Sequence, residues 1–334
     1  MKDRFKGCII GQAVGDALGF PVEGRTPIVT AEAVTDRPLH FQLHPSGAFP
    51  VGQYTDDTQM MRALLESLVE KEKVDPADIA ARLVSLWRDQ VVVGHGQTSA
   101  QAIRRLMEGV PWTESGTPTL RPSNGSAMRT APIGLWHHDD PAALAKAAAD
   151  VSRITHADPR CLAGAVAVSA AIAWNLNHDA FDPLDLTAFS ARLARPFDDK
   201  TADLILQLVD WRAEDPQIVA SRIGSAGLPD DWQPRKYKES LAWPGIAPFV
   251  TATVLIALYA FLRTPTDWVE SVCWVIALGG DVDTTGAITG AISGAFNGLK
   301  AIPAELAQQV NDRGRFDYDY LGCLAERLWK LRAG

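Results

Sequence analysis

The chain has 334 residues, 47% of them hydrophobic and 22% charged, proportions that suit a globular protein with a sizeable core and exclude intrinsic disorder. A formal charge of -8 and the lack of any basic run interleaved with aromatics argue against nucleic-acid binding, so an anionic ligand must be held locally. No Ser/Gly-rich or charged linker divides residues 1–334, which are expected to form one large domain, a monomer.

The first segment, "GCIIGQAVGDALG", carries Gly7, Gly11, Gly15 and Gly19 at helical period, with Asp16 set among them. It does not read as a signal peptide, because Gln12 and Asp16 interrupt the apolar stretch and no small-residue cleavage site follows; a cytoplasmic protein is expected. Glu23 comes seven residues after Asp16 and reads by itself as an exposed loop acid. "YTDDTQMM" then puts Thr55, Asp56, Asp57 and Thr58 at the head of an amphipathic helix, where a threonine cap and two acids suit the helix dipole. Asp75-Pro76, Asp140-Pro141, Asp158-Pro159, Asp182-Pro183 and Thr264-Pro265 each pair an N-cap residue with proline at the first helical position. With alternating strand patterns nearly absent, the chain reads as all-α, a large bundle of a dozen or more helices.

Between these helices lie segments with special chemistry. "VVGHGQTS" offers Gly96 and Thr98 as a glycine-rich wall, or Thr98 as a helix cap. "RPSNGSAMR" places Ser123, Asn124, Gly125, Ser126, Ala127 and Met128 on a loop that is either a simple turn or a nest of backbone N–H groups for a pyrophosphate. His156 in "THADP" is either a satisfied core histidine or a ligand contact, and Phe249 in "APFV" either a core residue or an aromatic that stacks on a base. Ser225 to Gly245 reads as a long surface loop, and the apolar run "APFVTATVLIALYAFL" as a buried helix too short to span a membrane. Cys8, Cys161, Cys273 and Cys323 look like reduced core residues.

"GGDVDTTGAITGAISGAFNG" repeats the threonine–acid theme at Asp281, Asp283 and Thr284, in front of Gly286, Gly290, Gly294 and Gly298. Each interior helical glycine costs roughly 1 kcal/mol relative to alanine, so the stripe implies backbone-to-backbone packing with another element. If the two acid clusters face each other, four carboxylates share one small volume and need either raised pKa values or bound cations. Hard oxygen donors without a Cys/His cluster favour Mg²⁺ or Mn²⁺ over zinc.

Five motifs in order, "GDALGFPVEG", "YTDDTQ", "SNGSAMR", "THADP" and "GGDVDTTGA", resemble the motif series of the ADP-ribosylglycohydrolase family. The resemblance implies an all-α bundle with a binuclear centre of two Mg²⁺ (or Mn²⁺) ions held by Thr55, Asp56, Asp57, Asp281, Asp283 and Thr284, with Asp283 bridging. It further implies Glu23 on a segment over the metals, with Glu23, Asp56 or Asp57 relaying protons. Ser123 to Met128, His156, Gly96, Thr98 and Phe249 would contact an ADP-ribose-bearing substrate, an ADP-ribosylated protein or small conjugate. Leu120, Arg121 and Pro122 stand where some members acting on arginine linkages carry an acid, which leaves the acceptor linkage open.

Overall fold

The structure, a computed structural model, describes residues 1–36, 38–118, 122–178, 185–224, 226 and 244–333. The expected helix start at Asp182-Pro183, the residues Leu120 and Arg121, and nearly all of the Ser225 to Gly245 loop lie outside them. The described residues contain helices and isolated bridges but no sheet. In chain order the helices are α1 (Lys2–Gly19), α2 (Pro27–Thr35), α3 (Asp56–Lys71), α4 (Pro76–Arg88), α5 (Gln97–Met107), α6 (Ala131–Trp136), α7 (Pro141–Arg153) and α8 (Pro159–Asn177). They continue with α9 (Leu186–Ala194), α10 (Asp199–Gln207), α11 (Pro216–Gly224), α12 (Val250–Arg263), α13 (Trp268–Ala277), α14 (Val282–Asn297), α15 (Ala304–Ala307) and α16 (Tyr318–Ala333).

Three of the aspartate–proline pairs start helices as expected. Asp75 accepts a hydrogen bond from Asp78 N, Asp140 from Ala142 N and Ala143 N, and Asp158 from Arg160 N. Thr264-Pro265 does not: Thr264 closes α12, and α13 begins at Trp268 under a cap from Asp267. Proline disfavours the helical region for the residue before it, so this pair ends one helix instead of opening the next.

At the centre α1 and α14 run antiparallel, glycine against glycine. A Cβ on Gly7 would lie 2.5 Å from the Gly294 carbonyl oxygen, and Cβ atoms on Gly11 and Gly15 would overlap the carbonyls of Gly290 and Gly286. Each stripe thus answers the other. Gly298, counted with the stripe by period, instead ends α14 at a φ of 79°. Nearly every residue of both helices is buried, because α14 is also packed by α8, α12 and α13 while α1 is packed by α3, α6 and α16. Trp268 Nε1 donates to Gly290 O at 3.0 Å and Asn175 Nδ2 to Ile292 O at 2.9 Å, fixing α13 and α8 to the same helix.

The "APFVTATVLIALYAFL" run forms buried α12 as expected. α8 is long and apolar enough by composition to cross a membrane, yet 67% of its apolar window is buried inside the fold. Cys8, Cys161 and Cys273 are buried, whereas Cys323 is exposed. The buried residues of α16 recur at Leu321, Leu324, Ala325 and Leu328, and Cys323 falls on the opposite face of that stripe.

Candidate functional site

The N-termini of α3 and α14 meet. Thr55 caps α3 through its side chain, which accepts from Asp57 N, and Asp281 stands at the cap position of α14. Thr284 Oγ1 reaches to 3.4 Å from both Asp57 Oδ2 and Asp281 Oδ1, and Thr55 Oγ1 to 3.2 Å from Asp57 Oδ2. The two threonine–acid clusters therefore share one volume, at the positive ends of two helix dipoles.

The α14 stripe does not hold one cluster directly against the other. It grips α1, and α1 supplies the connection. Asp16, wholly buried, accepts from Thr55 N at 3.0 Å, Thr58 N at 3.1 Å and Thr58 Oγ1 at 2.6 Å, clamping the first turn of α3. Gln12, one turn earlier, donates to Asp57 O at 3.2 Å and Met128 O at 2.9 Å.

Glu23 reaches the same centre from the turn after α1. Gly24 N donates to Gly280 O at 2.8 Å and Gly280 N to Arg25 O at 3.1 Å, stitching this turn to the "GGD" segment. Gly280 needs to be glycine, since its φ is 88° and a Cβ would overlap Ile246. Oxygen atoms of Glu23, Asp281 and Asp283 consequently lie within 4.8 Å of one another.

So many acids in one place resist ionisation. Glu23 is pushed up to about 10, chiefly by Asp283 and then by burial, and Asp16 to about 7 by burial and Asp283. Burial followed by Asp283 also raises Asp56, Asp57 and Asp281 well above the carboxylate range. Asp283 is thus the neighbouring charge felt most strongly by every other acid of the cluster. Among the described residues, Asp57 Oδ1 is buried with no hydrogen-bond partner. An orphaned carboxylate oxygen among acids is costly, and a hard divalent cation with oxygen ligands fits this donor set.

A linkage prediction follows from these shifts. An acid with a raised pKa holds its proton in the folded state after the unfolded chain has lost it. Its contribution to stability is therefore lost as pH climbs from the unfolded value, 3.8 for Asp16 and 4.5 for Glu23, toward the folded one. Chelator-treated protein should lose thermal stability steadily from about pH 5 to pH 8. Mg²⁺ should restore more at pH 8 than at pH 5, because cations compete with protons for the same oxygens. Melting curves across that range check both, and a flat profile without metal contradicts the shifts.

The "SNGSAMR" segment packs beside the acids as a turn. Ala127 N and Met128 N both donate to Asn124 O, at 2.8 and 3.2 Å, whereas Gly125 N and Ser126 N are among the N–H groups of this stretch with no backbone acceptor among the described residues. Asn124 Nδ2 is spent on Thr253 Oγ1 at 3.0 Å and on Asp281 Oδ2, so Asn124 braces the cluster. Ala127 and Met128 are 0% and 4% exposed and belong to the core, as does Phe249 at 4%, the residue before α12. Apolar side chains next to helix starts are drawn inward by packing.

Ser123, Gly125 and His156 do gather around one space. Ser123 Oγ lies 2.9 Å from His156 Nε2, and a Cβ on Gly125 would lie 3.1 Å from His156 Cε1 and 3.2 Å from Ser99 Oγ. Burial, and then Arg129, pulls His156 down to about 3, so its ring is neutral. Gly96 is the exposed N-cap of α5 and Thr98 follows it within the helix, half-buried, its carbonyl accepting from Thr117 Oγ1. A Cβ on the neighbouring Gly94 would lie 3.6 Å from Asp56 Oδ1 and from Thr55 Cβ.

Four contributors carry little or no signal in the sequence. Arg129 is wholly buried, donating to Gly125 O at 3.1 Å and Val151 O at 2.8 Å, and its charge opposes the rise at Asp56. Gln12, Ser99 and Thr253 are ordinary polar residues until the helices meet. Asp16, by contrast, is legible as a lone charge inside an apolar glycine helix.

An all-α protein with an acidic centre able to hold divalent cations is the class that this fold and site define. The chain belongs to the ADP-ribosylglycohydrolase family, whose sequence pattern matches residues 1–334, and membership supports ADP-ribosyl hydrolysis as its general chemistry. It is 32% identical to an uncharacterised protein of Archaeoglobus fulgidus over 99% of this chain and 97% of that one. It is 26% identical to ADP-ribosylhydrolase ARH3 of Gallus gallus over 91% of this chain and 88% of that protein. A solved structure described as an ADP-ribosylglycohydrolase-related protein complex superposes with a TM-score of 0.68 at 26% identity, covering 99% of this chain and 98% of that one.

Proposed function

We propose that this chain cleaves the bond between the anomeric carbon of the distal ribose of ADP-ribose and an acceptor, with two Mg²⁺ or Mn²⁺ ions held by Thr55, Asp56, Asp57, Asp281, Asp283 and Thr284. The observation that carries the reading is the convergence of two buried threonine–acid clusters with Glu23, around a carboxylate oxygen that has no hydrogen-bond partner among the described residues. Divalent cations at such a centre supply Lewis acidity toward the ribose hydroxyls and the attacking water.

The protein's own groups do the rest. Ser123 Oγ and the Gly125 and Ser126 N–H groups bind the pyrophosphate, a local anion site in a chain of net negative charge. Asp16, Gln12 and Asn124 hold the acids in place, so little reorganisation accompanies reaction. The carboxylates favour positive charge building at the anomeric carbon. Glu23, protonated beside Asp283 when no cation is bound, is placed to hand a proton to the leaving group or take one from water.

Product analysis tests the assignment. Arginine-linked and serine-linked ADP-ribosyl peptides incubated with Mg²⁺ should release ADP-ribose with its pyrophosphate whole. Release of AMP instead would mark a two-metal phosphoesterase and overturn the reading.

Replacing Glu23 with Gln separates catalysis from binding. ADP-ribose affinity measured by calorimetry should stay the same or tighten, because a competing carboxylate has gone, while single-turnover hydrolysis slows by about 10²- to 10⁴-fold. Unchanged rates on both linkages would remove Glu23 from the reaction.

A further inference from the structure

His156 has two hydroxyl neighbours and a buried ring, and the hydrogen-bond arithmetic around it fixes more than its position. The ring is 0% exposed, with Thr155 Oγ1 2.7 Å from Nδ1 and Ser123 Oγ 2.9 Å from Nε2. A neutral imidazole carries one N–H and one acceptor nitrogen, and the neighbours decide which is which. Thr155 is also 0% exposed, and among the described residues His156 Nδ1 is the only side-chain or backbone partner that its hydroxyl has.

If Nδ1 carried the proton, it would donate to Thr155 Oγ1 and leave the threonine O–H buried with nowhere to go. Such a group costs about 1–3 kcal/mol. With Nδ1 unprotonated, the threonine donates to it and the ring proton sits on Nε2, aimed at Ser123 Oγ. Ser123 then accepts from the ring, and its own proton is left to point elsewhere. Ser123 and Gly125 are the half-buried residues of the turn, whereas Asn124 and Ser126 are buried, so a ligand reaching the turn meets it at Ser123 and Gly125.

We infer that Thr155 is a positioning residue which, by holding His156 in the Nε2–H form, makes the Ser123 hydroxyl a hydrogen-bond donor to an anionic ligand group at the Ser123–Ser126 turn. The opposite tautomer would spend the serine proton on the ring and turn lone pairs toward the anion. His156 acts here without titrating, and its neutrality is reinforced by burial and by the nearby Arg129 charge. This inference rests on the proposed seating of the ADP-ribose pyrophosphate against the turn.

The tautomer is measured on wild-type protein without ligand, by ¹⁵N NMR of the histidine ring, so its failure is separable from a failure of ADP-ribose to bind. The expected spectrum is that of an Nε2–H ring; an Nδ1–H ring overturns the inference outright. ADP-ribose titrations in Mg²⁺ supply the second readout. Thr155→Val and Ser123→Ala should each weaken binding by about tenfold, Thr155→Ser should restore it, and the double variant should bind no worse than Ser123→Ala. Wild-type affinity in Thr155→Val, or full additivity of the two losses, also overturns it.

Discussion

Asp283→Asn should lower turnover of an ADP-ribosylated substrate in Mg²⁺ by about 10³-fold while leaving the helical fold intact, on the scale of losing one preorganised electrostatic group from an active site. The substitution is nearly isosteric, and the asparagine Oδ1 can still accept from Thr284 N, which lies 2.9 Å from Asp283 Oδ1. What it removes is the charge that dominates the cluster. Glu23 and the four other acids all have Asp283 as their strongest charged neighbour. Without cations that charge is a liability, so chelator-treated Asp283→Asn should melt at a higher temperature than chelator-treated wild type. With Mg²⁺ the order should reverse, because the wild type gains ligand-linked stability that the variant loses. Asp56→Ala should behave alike. Near-normal turnover in both variants would refute the cation assignment, whereas lost turnover without the crossover in stability would point to damage of another kind.

The second large effect is on the fold. Gly15→Ala places a methyl group on the Gly286 carbonyl, where two helix backbones already touch. Helix propensity alone favours alanine by about 1 kcal/mol. Overpacking between rigid backbones costs about 1–3 kcal/mol or more, since neither carbonyl can rotate away, and the net expectation is clear destabilisation. Gly322→Ala in α16 is the control. That glycine is also helical, but a Cβ there meets nothing within 4 Å, so the same substitution should stabilise by about 0.5–1 kcal/mol. Denaturant unfolding of the pair reads opposite signs from one chemical change. Gly15→Ala should also lose activity beyond its loss of stability, since the displaced α14 carries Asp281 and Asp283 away from Asp57. If both variants were stabilised, the glycine stripes would not be a close-packed seam.

Local chemistry is what the sequence discloses by itself. Asp75, Asp140 and Asp158 announce helix starts because capping needs only the next three residues. The glycine period announces a close-packed face, and the two threonine–acid clusters announce candidate ligands, since both features depend on residue type and spacing along one helix. Tertiary structure alone decided the rest. The clusters meet because α1 lies between α3 and α14 and Asp16 ties the α3 N-terminus to it, a relation that spans most of the chain. Glu23 changes from a loop acid into part of the cluster through the backbone bonds that join Gly24 and Arg25 to Gly280. Ala127, Met128 and Phe249 turn inward, while Cys323 turns outward, according to which helix face a neighbour covers. The direction of the Ser123 hydroxyl depends on a histidine and a threonine more than thirty residues away. Capping and periodicity are settled within a turn of backbone, whereas burial, charge coupling and hydrogen-bond direction are set by groups that only folding brings together.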